Sequence, residues 1–120
     1  MTDLTGKAFW QEMADLAARN HIVLDRPRGA AHPRYPELVY PLDYGYIEGT
    51  SAADGDGIDV WIGSQGKDTL QGILCTYDTF KRDAETKLLL GCTKVDVETI
   101  LNFNNDFMRY LYIPRPKENQ

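Results

Sequence analysis

Four short apolar runs between Tyr44 and Cys92 constrain the fold more than any other feature of this sequence. They are separated by glycine, aspartate and other turn residues, and they read YGYIEG, IDVWIG, LQGILCTYDTF and TKLLLGC. Runs of this length that are rich in aromatic and β-branched residues and end at turn signals are typical of strands. Four of them at this spacing predict a small antiparallel barrel or a curled sheet.

Helical spacing of apolar residues occurs at both ends of the chain. Residues 5–19 predict an amphipathic helix, and the run over residues 22–25 predicts a further strand that stops before Pro27. Residues 97–111 predict a final helix capped by Asp96. Its apolar stripe comprises Ile100, Phe103, Phe107 and Leu111. Two helices and five strands indicate an α+β fold that is mainly β.

Composition narrows the class of function. A chain of 120 residues predicts a single domain over residues 1–120. Its net charge of -5 argues against nucleic acid as a partner, because that binding depends on clustered Lys and Arg. No apolar run approaches the ~20 residues that span a bilayer, and MTDLTGKAFW lacks the pattern of a signal peptide. We therefore expect a cytoplasmic protein with no membrane partner, in which Cys75 and Cys92 are reduced.

The segment DGDGID, residues 54–59, is the strongest candidate for a functional site. Its three carboxylates can converge because Gly55 and Gly57 allow tight backbone conformations, and a hard divalent ion such as Mg²⁺ would relieve their repulsion. A calcium loop of the EF-hand type is excluded, since the required glycine would be Asp59 and the bidentate glutamate would be Gln65. Taken alone, the segment leaves a turn and a metal site open.

The surrounding motifs resemble one enzyme family. YPLDYGYI, residues 40–47, followed by DGDGIDV, residues 54–60, is similar to the paired YPxNYGYI strand and DGDPxDV loop of the family I soluble inorganic pyrophosphatases. Upstream, Asp25, Pro27, Arg34 and Tyr35 follow the family's pattern, and Glu85-Thr86-Lys87 falls where the family has Asp-x-Lys. The resemblance spans roughly residues 21–110.

The resemblance implies a distorted five-stranded antiparallel barrel, similar to an OB-fold, with an N-terminal and a C-terminal helix. It also implies hydrolysis of pyrophosphate to two phosphates by a metal-bound hydroxide, with Mg²⁺ as cofactor and Mn²⁺ as an alternative. The implied metal ligands are Asp54, Asp59, Glu85 and Asp25. The implied catalytic residues are Asp56 and Tyr44, and the implied substrate contacts are Arg34, Tyr40, Tyr44 and Lys87.

The sequence also departs from the family pattern, mainly in the residues that hold phosphate. Pro36 replaces a glutamate, and Tyr35 and Tyr40 are only five positions apart, which leaves no room for the family's arginine-bearing hairpin. Phe107 and Met108 stand where the family has a Tyr-Lys pair. The shortened loop is crowded with basic residues that could replace part of the phosphate clamp: Arg26, Arg28, His32 and Arg34. Two alternatives therefore stay open: a catalytically impaired protein that keeps metal binding and serves as a binding or regulatory module, or a hydrolase of another small phosphate compound. The family pattern also favours a homo-oligomer.

Overall fold

The computed structural model describes residues 2–53, 55–104 and 106–117. Within these ranges, two helices and six strands follow one another. Their bounds are α1 Lys7–Arg19, β1 Ile22–Arg26, β2 Asp43–Ile47, β3 Ile58–Ile62, β4 Leu70–Asp78, β5 Asp83–Leu90, α2 Lys94–Phe103 and β6 Met108–Pro114. In the described part of the chain, neither helix is long and apolar enough to cross a membrane.

The strands form one mixed sheet in the order β1-β2-β3-β5-β4-β6. Strands β3 and β5 pair in parallel, and all other neighbours are antiparallel. The predicted α+β class, mainly β and similar to an OB-fold, is confirmed. The details differ, because there are six strands instead of five, one parallel pair, and an unclosed sheet with β1 and β6 at its edges among the described residues.

The C-terminal helix predicted over residues 97–111 is shorter than expected. Helix α2 ends at Phe103, where Asn104 takes an extended conformation, and the chain continues into β6. Residues Met108, Tyr110 and Tyr112 alternate along β6 and pair with β4. The apolar residues of this segment fit a strand period as well as a helical one, and pairing with β4 decides between them. The start of the helix also differs from the prediction, since Thr93 is the N-cap in place of Asp96, and Asp96 completes the capping box.

Each face of the sheet is covered by one helix. Helix α1 packs Trp10 and Ala17 against one face, where buried aliphatic side chains of all the inner strands meet. Helix α2 packs Ile100 against the other face, at the end that carries Trp61 and Leu89. Because α2 covers only that end, the rest of its face stays open and forms the wall of a cleft.

A β-bulge in β1 shapes the edge of this cleft. The register between β1 and β2 shifts between Leu24 and Arg26, so that Asp25 is the extra residue. Glycine is required opposite, because a Cβ at Gly45 would collide with the backbone carbonyl of Val23. A bulge changes the direction of the side chains around it. Both Asp25 and Arg26 line the cleft.

Candidate active site

The open sheet face gathers polar side chains from three strands. Tyr44 and Tyr46 of β2 lie opposite Trp61 and Asp59 of β3. Strand β5 runs parallel to β3 and adds Glu85 and Lys87. Since alternate residues of a strand share a face, the register itself brings these groups into one cluster.

These side chains line a cleft of about 1060 Å³. Every predicted site residue that the structure describes lies along it: Asp25, Arg34, Tyr40, Tyr44, Asp56, Asp59, Glu85 and Lys87. Asp54, the remaining predicted metal ligand, lies outside the described residues. Its neighbour Gly55 has a φ of 91°, a conformation that suits glycine.

Lys87 lies at the centre of the cluster. Its Nζ donates to the Tyr44 hydroxyl at 2.6 Å and lies 3.4 Å from both Asp59 Oδ2 and Glu85 Oε1. Burial on its own would lower the pKa of Lys87, but the groups around the ammonium, with both carboxylates among them, raise it overall. Lys87 is therefore a fixed positive charge beside two acids.

Asp59 and Glu85 form the carboxylate pair of the site. Burial, and the adjacent Asp59 carboxylate, raise the pKa of Glu85 against the opposing effect of Lys87. No cluster of three His, Cys, Asp or Glu residues fit to hold a metal is found in residues 2–53, 55–104 and 106–117. Two hard oxygen donors that converge are nevertheless enough for Mg²⁺, which binds through one or two carboxylates and keeps several waters. The donor set therefore fits a divalent ion.

Two tyrosines connect the cluster to the apolar core. The ring of Tyr44 lies 4.8 Å from Trp61 and 5.5 Å from Tyr40, between ring centroids. Tyr40 also packs against Phe103 of α2, at 4.6 Å. Burial raises the pKa of both tyrosine hydroxyls, so they stay protonated near neutral pH. A protonated hydroxyl can donate to a phosphate oxygen while it accepts from Lys87.

The lining of the cleft also contains basic residues. Arg26, His32 and Arg34 lie along it together with Lys81, which belongs to the turn between β4 and β5. Burial, and then the charges of Arg26, Arg34 and Lys81, lower the pKa of His32. Its Nδ1 accepts hydrogen bonds from the backbone N–H of Arg34 and of Tyr35, which also favours the neutral ring. These charges can hold an anion.

Lys81 is a residue of the cleft that the sequence did not predict as part of the site. Its position follows from the antiparallel register of β4 and β5, which pairs Asp78 with Asp83 and leaves a short turn between them. Asp78 and Asp83 also line the cleft. Asp43 has a structural role, since its Oδ1 accepts a hydrogen bond from the backbone N–H of Arg28 at 2.8 Å.

A cleft that combines paired carboxylates, a buried lysine and a basic loop on an OB-like sheet is typical of enzymes that bind small phosphate compounds together with divalent ions. The inorganic pyrophosphatase family model matches residues 12–78, more than half of the chain. The protein therefore belongs to the inorganic pyrophosphatase family, a family of inorganic diphosphatases. No curated protein sequence matches it.

Solved structures of similar fold include two bacterial inorganic pyrophosphatases. The enzyme from Neisseria gonorrhoeae aligns with a TM-score of 0.59 and 19% identity, covering 78% of this chain and 75% of its own. The enzyme from Coxiella burnetii aligns with a TM-score of 0.50 and 13% identity, covering 78% of this chain and 82% of its own. At sequence identities this low, the structural similarity shows that the fold is shared.

Proposed function

We propose that this protein hydrolyses inorganic pyrophosphate to two phosphates with Mg²⁺ as its cofactor and Mn²⁺ as an alternative. The observation that carries the proposal is the position of Lys87, whose ammonium contacts Tyr44, Asp59 and Glu85 in a cleft that Arg26, Arg34 and Lys81 also line. Pyrophosphate with its metal ions presents both signs of charge. A cleft lined by both acidic and basic side chains is complementary to it.

In this proposal the acidic residues bind the metal ion. Asp59 and Glu85 would hold the ion together with Asp54, and Asp25 would support it from the bulge of β1. When bound, a divalent ion supplies positive charge against the phosphoryl oxygens and lowers the pKa of water. Asp25 is already paired with Arg26 at 2.9 Å, so its part depends on exchange of that ion pair.

The remaining polar residues would act on substrate and water. Asp56 would orient the attacking water and take its proton. The water oxygen forms a bond to one phosphorus while the bridging P–O bond breaks, so that each product is a phosphate. Lys87, Tyr44, Tyr40 and Arg34 would bind the phosphoryl oxygens, where fixed positive charge stabilises the charge of the transition state.

Phosphate release from pyrophosphate, measured with Mg²⁺, with Mn²⁺ and after chelation, tests this function. We expect metal-dependent release that falls by about 100-fold or more in Asp56→Asn, within the range typical of a lost general base. The control is Asp68→Asn, since Asp68 is exposed and does not line the cleft. Full activity in Asp56→Asn would refute the role of Asp56, and absence of metal-dependent release from the folded protein would refute the function.

One observation favours the alternative of a metal-binding module without turnover. The ammonium of Lys87 already compensates the two carboxylates. Phe107, whose ring packs on Tyr35 of the cleft, stands where the family resemblance implies a polar phosphate-clamp residue. Calorimetry with Mg²⁺ separates the cases, because a module would bind the ion, lose binding in Asp59→Asn and release no phosphate. The single domain, the cytoplasmic location and the homo-oligomer stay predictions from the sequence.

A further inference from the structure

The loop between β1 and β2 folds back on itself, and its tip carries Arg34 to the cleft. The backbone N–H of His32 donates to the carbonyl of Leu38 at 2.8 Å, and this hydrogen bond closes the base of the tip, which consists of residues 33–37. Arg34 is exposed and lines the cleft. The position of its guanidinium therefore depends on how the backbone of the tip is held.

His32 holds most of the backbone donors of this tip. The tip has five residues, and two of them are prolines without a backbone N–H, so that three donors remain. Two of the three donate to the same atom, because His32 Nδ1 accepts from the N–H of Arg34 at 3.0 Å and from the N–H of Tyr35 at 3.2 Å. The contact fixes a turn in the way that an Asn or Asp side chain does when it binds the backbone a few residues further on.

The imidazole ring that carries this nitrogen is itself anchored. It lies nearly parallel to the ring of Tyr40, at 8° and with 6.0 Å between ring centroids, and Tyr40 is buried. Its other ring contact is with Tyr35, at 5.1 Å. Burial of the ring, and the positive charges around it, lower the pKa of His32, so that Nδ1 stays an acceptor near neutral pH.

We infer that His32 is a positioning residue for pyrophosphate binding: its Nδ1 fixes the backbone of Arg34 and thereby directs the guanidinium into the cleft. The inference rests on the proposed function, in which Arg34 binds the phosphoryl oxygens. An arginine side chain loses much rotamer freedom when it binds, and a fixed backbone reduces the freedom that is left to lose. The guanidinium can then form paired hydrogen bonds with phosphate.

Two substitutions of His32 separate its acceptor from its ring. His32→Phe keeps an aromatic ring against Tyr40 and removes the acceptor, whereas His32→Asn removes the ring and keeps an oxygen that can accept from the same N–H groups. We expect His32→Phe to lower kcat/KM for pyrophosphate by about 10-fold, the effect of one weakened charge-assisted contact. His32→Asn should restore most of the lost value. His21→Phe, at the other histidine of the chain, is the matched control, because His21 is exposed and does not line the cleft.

A double-mutant cycle with Arg34→Ala shows whether His32 acts through Arg34. In the Arg34→Ala background His32→Phe should have no further effect, whereas independent roles would give additive losses. Additive losses would overturn the inference. So would an unchanged kcat/KM in His32→Phe, or a loss in His32→Asn as large as the loss in His32→Phe.

Calorimetry with Mg²⁺ and imidodiphosphate, in which N–H replaces the bridging oxygen of pyrophosphate, measures binding apart from turnover. If the protein releases no phosphate, yet affinity for imidodiphosphate falls in His32→Phe and recovers in His32→Asn, the proposed function fails and the role of His32 stands. If pyrophosphate is hydrolysed but His32→Phe changes neither kcat/KM nor this affinity, the role of His32 fails and the proposed function stands.

Discussion

At the scale of single residues, Lys87 decides the chemistry of the cleft. Its side chain is 14% exposed, and its charge is shared among one hydroxyl and two carboxylates. A buried charge without partners would be costly, and removal of the ammonium would leave Asp59 and Glu85 in repulsion. The contact with the Tyr44 hydroxyl is the shortest of the three, so it sets the direction in which the lysine points.

Replacement of Tyr44 by Phe should therefore weaken catalysis more than folding. A hydrogen bond to a charged group contributes about 1.5–3 kcal/mol, so loss of this one should lower kcat/KM for pyrophosphate by about 10- to 100-fold. Tyr112→Phe is the control, since Tyr112 packs on the same sheet face and its hydroxyl contacts Gln71 instead. Wild-type kinetics in Tyr44→Phe would show that the hydroxyl does not position Lys87.

The sequence was informative about the residues of the site because their spacing is local. Tyr44, Asp56 and Asp59 belong to two motifs that are close in sequence, and the strand period predicts which side chains share a face. Lys81 was missed because its place depends on the pairing of β4 with β5, which no local pattern encodes. Arg26 was seen only as part of a basic loop, since the bulge at Asp25 that brings it to the cleft is not evident from residue types.

At the scale of elements, the start of α2 is fixed by several hydrogen bonds to one carboxylate. Asp96 Oδ2 accepts from the backbone N–H and the hydroxyl of Ser64, and from the backbone N–H of Thr93. The helix is thereby tied to the loop that follows β3. Burial on its own would raise the pKa of Asp96, but these hydrogen bonds lower it below its ordinary value of 3.8.

The lowered pKa predicts how stability depends on pH. A carboxyl with a depressed folded pKa stabilises the protein above its unfolded pKa, and this contribution is lost as the pH falls through the folded value. Asp96→Asn should lower the free energy of unfolding at neutral pH by about 1 kcal/mol, the difference between charged and neutral hydrogen bonds. The stabilities of the two proteins should begin to converge as the pH falls below the ordinary value of 3.8 and should become equal below the lowered folded pKa.

Urea unfolding followed by circular dichroism between pH 7 and pH 3 would measure this difference. Glu98→Gln, a change of the same kind on the same helix, should leave the curve unchanged, because Glu98 takes no part in the capping box. A constant difference between Asp96→Asn and the parent protein at all pH values would mean that its charge is not what stabilises the junction.

The elements themselves were predictable in different degrees. The first helix and the first five strands of the chain follow from periodicity, since each has one apolar face or a short apolar run between turn residues. The end of α2 at Phe103 could not be predicted from the sequence, because Phe107 and Leu111 continue the helical spacing of Ile100 and Phe103. The strand β6 exists because β4 offers a partner along residues 72–78, and this is a property of the assembled sheet.

At the scale of the whole molecule, the sheet separates two hydrophobic cores, and only one of them contributes residues to the cleft. The core under α1 contains Trp10 and no residue of the cleft. The core under α2 contains Trp61, which lines the cleft and lies within 5.6 Å of Tyr40 and within 4.8 Å of Tyr44, between ring centroids. A change in packing under α1 should therefore affect stability alone. A change in packing under α2 should affect both stability and the site.

Substitution of each tryptophan by Phe tests this separation. Both side chains are buried, with 7% exposed for Trp10 and 3% for Trp61, and each change should lower the free energy of unfolding by about 0.5–3 kcal/mol, as is typical of buried substitutions. Only Trp61→Phe should also raise KM for pyrophosphate, since it removes part of the support of Tyr40 and Tyr44. Steady-state kinetics at a temperature where both variants are folded would measure this. An equal rise of KM in Trp10→Phe would show that strain passes through the sheet, because close-packed interiors can transmit it, and the two faces would then have to be treated as one unit.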